Sequence, residues 1–125
     1  METRYNILFV CMGNICRSPA SENIFRQVVK EAGLSDRIHC DSAGTIGIHS
    51  GNKPDTRMSK TIRRRGYEVT GHARQFSLLD FDVSNLILTM DNENFQNIFK
   101  LADTEEKQAK VQRFTDFCLQ HNHHE

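Results

Sequence analysis

The stretch ILFVCMGNICRSP, residues 7–19, decides the fold because it joins a short apolar run to a helix start. Its first four residues are typical of a parallel strand that is buried on both faces. Ser18 and Pro19 are typical of a helix N-terminus, with the serine as the cap and the proline in the first turn, and Gly33 marks the far end of that helix. The sequence therefore predicts a strand, a tight loop and a helix in direct succession.

The rest of the chain continues this alternation of apolar runs and amphipathic segments. Further strands are predicted at residues 38–42, 85–90 and 110–114, and further helices at residues 54–65 and directly after Asp91. Strands that alternate with helices form right-handed βαβ units, so we expect an α/β fold with a doubly wound four-stranded parallel sheet and helices on both faces. Ligands of such sheets bind beyond the carboxyl ends of the strands, and Cys11 lies at one of these ends.

Length and composition limit the possible functions. The 125 residues, of which 38% are hydrophobic, suffice for one domain that spans residues 1–125. Sixteen basic residues balance sixteen acidic ones, so the net charge favours neither nucleic acid nor a membrane surface as a partner. No apolar run is long enough to cross a bilayer or to act as a secretion signal. We therefore expect a cytoplasmic monomer in which Cys11, Cys16, Cys40 and Cys118 are reduced.

The loop between the first strand and the first helix has the composition of an anion site. Backbone N–H groups that end at a helix N-terminus attract an anion, and the candidate phosphate-binding residues are Met12, Gly13, Asn14, Ile15, Cys16, Arg17 and Ser18. The same field stabilises a thiolate, so Cys11 is the candidate nucleophile. The planar guanidinium of Arg17 can hold two phosphate oxygens, and Ser18 can donate a hydrogen bond to the sulfur. We predict thiolate attack, a cysteinyl-phosphate and its hydrolysis, which require no metal and no organic cofactor.

This loop resembles the active-site loop of the low-molecular-weight protein tyrosine phosphatases, a family with a doubly wound parallel sheet. The similarity covers nearly the whole chain in order, at residues 10–19, 40–45, 51–57, 73–75, 86–91 and 115–118. The resemblance implies that Cys11 is the nucleophile, that Arg17 clamps the phosphate, and that Asn14, Ser18 and Ser42 form the hydrogen-bonding set that supports the loop. It also implies a hydrolase that acts on a phosphotyrosine-containing protein or a small aryl phosphate and releases inorganic phosphate.

The chain departs from the family where the general acid is expected. The family carries an Asp-Pro-Tyr-Tyr segment after its last strand, whose aspartate protonates the leaving phenolate, and then a final helix. The sequence stops at residues 121–125, before that point, and Asp116 matches a strand-end position instead of the acid. We therefore predict a phosphotyrosine phosphatase I-like domain that lacks the last helix and the general acid. Its turnover of phosphotyrosine would be impaired, since a phenol has a pKa of ~10 and a placed acid contributes ~10² to 10⁴ in rate.

Two positions close to the predicted site also differ from the family. Ile48 stands where the family often has an aromatic residue before the histidine that corresponds to His49. Gly71 stands at the usual place of a supporting histidine, and His72 follows it. His72 is therefore either a loop-supporting residue or a solvent-facing turn residue.

Two further functions are compatible with the loop. A non-catalytic module would capture phosphotyrosine or phosphate without turnover, and a thiol-dependent arsenate reductase would need relay cysteines, for which Cys40 and Cys118 are poorly placed. Cys16 is the candidate redox partner, because the resemblance implies a reversible disulfide with Cys11 that would protect the nucleophile from irreversible oxidation. The alternative is that Cys16 is a small buried filler. The histidines among residues 121–124 lack a framework of other ligands, so no metal site is predicted.

Overall fold

The computed structural model describes residues 4–14, 16–47 and 50–116, in which strands and helices alternate along the chain. The first part comprises β1 (Tyr5–Cys11), α1 (Arg17–Glu31), β2 (Ile38–Gly44) and α2 (Thr56–Arg64). The second part comprises α3 (Leu79–Val83), β3 (Leu86–Thr89), α4 (Asn92–Phe99), α5 (Glu105–Lys110) and β4 (Val111–Arg113). The predicted strands and helices are present with slightly different bounds, whereas the short helices α3 and α5 were not expected.

The four strands form one parallel sheet in the order β2-β1-β3-β4. β1 is hydrogen-bonded to β2 on one side and to β3 on the other. The chain crosses from β1 to β2 through α1 and later continues on the opposite side of β1, so the direction of winding changes at β1. At the carboxyl edge, Cys11 pairs with Gly44 of β2, and Val10 pairs with Thr89 of β3. The predicted doubly wound parallel sheet is confirmed, and Cys11 lies at its switch point, where such sheets bind ligands.

Apolar side chains cover both faces of the sheet, because successive residues of β1 point to opposite sides. One face carries a buried cluster from β1, α3 and α4 that includes Leu8, Val10, Phe81 and Ile98. The other face carries residues of β1 and α1 that include Ile7, Phe9, Phe25 and Val29. Helices therefore pack on both faces, as predicted, and the two clusters fix the position of β1 up to its last residue.

Aspartate side chains cap two of the helices, and of these caps the one at Asp91 was predicted. Asp55 caps α2 and Asp91 caps α4, each accepting a hydrogen bond from a backbone N–H of the first turn, at 3.0 Å and 2.8 Å. The prediction that Ser18 caps α1 is wrong. The helix begins at Arg17, its N-cap residue is Cys16, and no side chain caps it. The hydroxyl of Ser18 is instead directed towards the sulfur of Cys11.

Some predictions concern residues outside the described ranges, namely those on Ile15, Ile48, His49 and residues 117–125. Within the described ranges, no helix combines the length and the apolar character needed to cross a membrane.

Candidate active site

The sulfur of Cys11 lies at the floor of the loop that connects β1 to α1. Cys11 is only 4% exposed, because it ends a strand in the interior of the sheet. Two groups of the loop contact the sulfur: the backbone N–H of Asn14 donates a hydrogen bond at 3.2 Å, and the hydroxyl oxygen of Ser18 lies 3.0 Å away. N–H and O–H donors at these distances can stabilise a negative charge on the sulfur.

Asn14 holds the loop in shape. Its backbone has a φ of 59°, the left-handed conformation that asparagine tolerates better than most residues. Its amide nitrogen Nδ2 donates hydrogen bonds to the hydroxyl oxygens of Ser18 and Ser42, each at 2.9 Å. Its amide oxygen Oδ1 accepts a hydrogen bond from the backbone N–H of Arg74 at 2.9 Å. One buried amide therefore connects the loop to β2 and to a segment 60 residues further along the chain.

The two residues that follow β2 support the loop through their backbone. The N–H of Thr45 donates to the carbonyl of Cys11 at 2.9 Å, and the N–H of Ile46 donates to the carbonyl of Met12 at 3.0 Å. Gly44 makes this approach possible, since a Cβ atom built on it would lie 2.7 Å from the carbonyl oxygen of Met12. A glycine at this position is therefore required by the close contact between the two backbones.

Arg74 connects the loop to the rest of the sheet. Its carbonyl accepts a hydrogen bond from the N–H of Gly44 at 2.8 Å, next to the N–H that it donates to Asn14. Its guanidinium forms ion pairs with Asp41 at 3.0 Å and with Asp80 at 2.9 Å. These two carboxylates hold the backbone of Arg74 in place, so that the amide of Asn14 has a fixed partner.

Arg17 and Asp91 form an ion pair at the edge of the loop, with 3.0 Å between Nη1 and Oδ2. Their side chains are 52% and 39% exposed, so the guanidinium is accessible to a ligand. Asp91 has a pKa below its ordinary value, mainly because the backbone N–H of Asn94 donates to its carboxylate, with a further contribution from Arg17. The carboxylate is therefore ionised at neutral pH and holds Arg17 beside the loop.

The three cysteines in the described residues have different surroundings, and none is bridged. Cys16 is exposed, and its pKa lies above the ordinary value because of partial burial and the nearby charges of Asp55 and Cys11, which Arg17 opposes. Burial raises the pKa of Cys40 to about 11. Cys16 and Cys40 are therefore protonated at neutral pH.

The structure brings together four of the predicted site residues, namely Cys11, Asn14, Ser18 and Ser42. Met12 and Gly13 lie in the same loop, and Arg17 opens the helix that follows it. His72 is exposed and makes no hydrogen bond with another described residue, which favours its interpretation as a turn residue.

The sequence did not identify three residues that contribute to the site: Glu22, Gly44 and Arg74. Gly44 and Arg74 lie in segments that resemble the phosphatase family, and that similarity was the available signal for them. Glu22 had no such signal, because a glutamate near the start of a helix is ordinarily exposed to solvent. Here it is buried against Ser42, with 2.5 Å between Oε1 and the hydroxyl oxygen.

A parallel sheet whose first strand ends in a Cys-x5-Arg loop is typical of phosphatases that use a cysteine. A family model for low molecular weight phosphotyrosine protein phosphatases matches residues 6–125. The chain therefore belongs to this family of phosphatases, and the resemblance noted in the sequence is confirmed.

Individual relatives agree with this assignment. A Synechocystis protein provisionally named as a low molecular weight protein-tyrosine-phosphatase is 48% identical over 111 residues, which cover 89% of this chain and 71% of that protein. A low molecular weight phosphotyrosine protein phosphatase of Schizosaccharomyces pombe is 39% identical over 119 residues, which cover 94% and 76%. The crystal structure of YfkJ from Bacillus subtilis superimposes with a TM-score of 0.88 at 38% identity, covering 93% of this chain and 73% of that one.

Proposed function

We propose that this protein is a tyrosine phosphatase that hydrolyses phosphotyrosine in proteins and small aryl phosphates through a cysteinyl-phosphate. The observation that carries the proposal is the surroundings of the Cys11 sulfur. It is buried at the end of an interior strand, yet the backbone N–H of Asn14 and the hydroxyl of Ser18 are both directed at it. A cysteine that only fills space needs no such partners, whereas a sulfur that acts as nucleophile and leaving group does.

The substrate phosphate binds in the loop of residues 12–18. The N-terminus of α1 follows this loop directly, and the positive end of a helix favours an anion. Arg17 stands at the first position of α1, and its accessible guanidinium holds two phosphate oxygens in its planar fork. The interaction strengthens as negative charge develops on these oxygens in the transition state.

The reaction proceeds in two displacement steps at phosphorus. In the first step the thiolate of Cys11 attacks the phosphorus, the bond from phosphorus to the tyrosine oxygen breaks, and its electron pair leaves with the phenolate. In the second step a water molecule attacks the phosphorus of the cysteinyl-phosphate and transfers a proton to solvent. The phosphorus–sulfur bond then breaks, its electron pair returns to the sulfur as a thiolate, and inorganic phosphate is released. The hydroxyl of Ser18, 3.0 Å from the sulfur, stabilises that departing thiolate.

The nature of the leaving group determines the rate of the first step in this chain. Asp91 lies beside the loop and pairs with Arg17, Asp116 pairs with Arg113 at 2.6 Å, and Asp55 caps α2. The lowered pKa of Asp91 keeps that carboxylate ionised, so it does not protonate a phenolate. We therefore expect the chain to prefer substrates whose leaving group departs without a proton, since a placed acid contributes ~10² to 10⁴ in rate.

The same proposal covers partners and location. The substrate is a phosphotyrosine-containing protein or a small aryl phosphate, and the protein acts as a monomer without nucleic acid, membrane, metal or organic cofactor. We also propose a cytoplasmic location, in which Cys11, Cys16 and Cys40 are reduced.

The experiment that tests this function compares the hydrolysis of p-nitrophenyl phosphate and of a phosphotyrosine peptide. The variant Cys11→Ser removes the nucleophile, and Cys40→Ala is the matched control, because Cys40 is also buried but lies away from the loop on β2. We expect release of nitrophenolate by the wild type and by Cys40→Ala but not by Cys11→Ser, with slower turnover of the peptide.

Other outcomes support the alternatives. Phosphate binding without hydrolysis of either substrate would refute the enzymatic proposal and favour a non-catalytic binding module. Turnover of arsenate that depends on a thiol reductant would favour an arsenate reductase, although the burial of Cys40 and its raised pKa make that thiol a poor relay.

A further inference from the structure

Glu22 is a charged residue in the interior that the proposed reaction does not use. It lies on α1, five residues after Arg17, and is 6% exposed. Its Oε1 accepts a hydrogen bond from the hydroxyl of Ser42 at 2.5 Å, and its other oxygen pairs with Arg26 one turn further along the helix. Ser42 in turn contacts Asn14, whose amide also contacts Ser18. Glu22 is therefore two hydrogen bonds away from the loop.

The burial of this carboxylate is unfavourable in itself. The pKa of Glu22 lies above its ordinary value, mainly because of burial, while the contacts with Ser42 and Arg26 oppose the shift. The charged or titratable groups that face it are Arg26 on its own helix, Asp41 and Cys40 on β2, and His72, which lines the same small cavity.

The backbone N–H of Arg74 determines which atoms donate and which accept in the hydrogen bonds around Asn14. The backbone N–H of Arg74 can only donate, so it fixes the oxygen of the Asn14 amide on its own side. The nitrogen of that amide then faces Ser18 and Ser42 and uses one hydrogen for each. Both serine oxygens are acceptors in these contacts, and neither serine can donate its proton to Asn14.

The two serine protons must therefore go elsewhere. The proton of Ser42 goes to the carboxylate of Glu22, which is its remaining hydrogen-bond partner among the described residues. The proton of Ser18 goes to the sulfur of Cys11, which lies 3.0 Å away. A carboxylate at one end of the network and a thiolate at the other are thus both acceptors.

We propose that Glu22 is a positioning residue for the reaction, which acts through Ser42 and Asn14 to keep the hydroxyl of Ser18 directed as a donor at the sulfur of Cys11. The inference rests on the proposed function, because it assigns a role in the use of the same thiolate. Without an acceptor at Glu22, the proton of Ser42 competes for the oxygen of Asn14. If the side-chain amide of Asn14 turned over, its N–H groups would face the N–H of Arg74. Its oxygen would then accept the proton of Ser18, and the sulfur of Cys11 would lose that hydrogen bond.

The variant Glu22→Asp tests whether the length of this side chain matters while its charge is kept. Aspartate keeps the negative charge but is one methylene shorter, so its oxygen no longer reaches Ser42. Glu31→Asp is the matched control, since Glu31 lies exposed at the far end of the same helix. Each is combined with Ser42→Ala in a double-mutant cycle, which isolates the part of the effect that passes through Ser42.

The measurement is the rate of Cys11 alkylation by iodoacetamide as a function of pH, with tandem mass spectrometry to distinguish Cys11 from Cys16. At about pH 6 the rate depends on the thiolate fraction, so we expect Glu22→Asp to react about tenfold more slowly than the wild type, as for the loss of a hydrogen bond to a charged group. At about pH 10 the two rates should agree. In the Ser42→Ala background, Glu22→Asp should change the rate by less than about twofold.

Two outcomes of the alkylation experiment would overturn the inference. If Cys11 of Glu22→Asp is alkylated at the wild-type rate, the length of the Glu22 side chain does not matter. If Glu22→Asp lowers the alkylation rate equally with and without Ser42, Glu22 acts through its charge or its packing. If Ser42→Ala does not fold, the side-chain amide resonances of Asn14 decide, because the inference requires Glu22→Asp to shift them and Glu31→Asp to leave them unchanged. A wild type that does not hydrolyse p-nitrophenyl phosphate would refute the proposed function alone, since alkylation measures the network without substrate.

Discussion

Replacing Gly44 by alanine would displace the loop that connects β1 to α1 by a distance that can be calculated from the structure. The new Cβ would lie 2.7 Å from the carbonyl oxygen of Met12, 3.0 Å from the carbonyl carbon of Gly13 and 3.1 Å from the N of Asn14. Ordinary contact begins at 3.4 Å, so the loop and the end of β2 must separate by about 0.7 Å. All three atoms belong to the backbone, and no side chain can relieve the contact by rotating.

A shift of this size affects catalysis more than stability. Misplacement of a catalytic group by about 1 Å costs about 10²-fold in rate, so we expect kcat/KM for p-nitrophenyl phosphate to fall by about 10- to 100-fold. Overpacking of this kind lowers the free energy of unfolding by about 1 to 3 kcal/mol. The domain should therefore still fold, and the loss should be visible in steady-state kinetics at a temperature where the variant is fully native.

Gly33→Ala is the matched control for this experiment. Gly33 follows α1 with a φ of 74°, and no atom lies within 4 Å of a Cβ built there. Alanine in this left-handed conformation costs roughly 1 to 2 kcal/mol, so the control loses comparable stability while the loop stays in place. The reasoning is refuted if the two variants show kcat/KM values within about twofold of each other.

Three further predictions concern the loop and its support. Arg17→Lys keeps the charge but loses the planar fork, so kcat/KM should fall by about 10² to 10³ with no change in the unfolding midpoint; activity above a tenth of the wild type would contradict the assigned clamp. Because the pKa of Glu22 is raised in the folded protein, the folded state binds that proton more tightly than the unfolded one, and stability should fall as the pH rises through this pKa. Urea unfolding should therefore show the wild type losing stability relative to Glu22→Gln as the pH rises from about 4 to about 7, and the opposite slope would disprove the assignment. Cys16→Ser should lose the ability to regain activity with a thiol reductant after peroxide treatment, whereas the wild type should recover, and equal recovery would exclude Cys16 as the redox partner of Cys11.

Local signals in the sequence predicted the fold well. The apolar run that ends at Cys11 predicted a strand buried on both faces, and Gly33 and Asp91 marked helix ends at the right places. These signals predict strands and helix ends correctly because each depends only on residues that are neighbours in the sequence. The helices α3 and α5 were missed, since elements of 5 and 6 residues span too few turns to show a periodic apolar face.

The site was predicted less completely, for a physical reason. The serine at position 18 is a good cap by its local pattern, but the sulfur of Cys11 and the amide of Asn14 take its hydroxyl instead. The contact between Gly44 and the loop, and the hydrogen bond from Arg74 to Asn14, join residues that are far apart in the chain. No local pattern encodes such distances, so only the folded chain reveals them.

The partners of Asn14 also determine when during folding the loop around Cys11, the proposed nucleophile, takes its final shape. Ser42 and Arg74 lie 28 and 60 residues away along the chain, so both contacts require long loop closures, which form late. In a partly folded chain, Asn14 lacks these two partners, and they do not hold the loop around Cys11 in its native shape. We therefore expect Cys11 to acquire its proposed reactivity together with the complete native structure, so that an incompletely synthesised or misfolded chain carries a sulfur that does not attack phosphate esters.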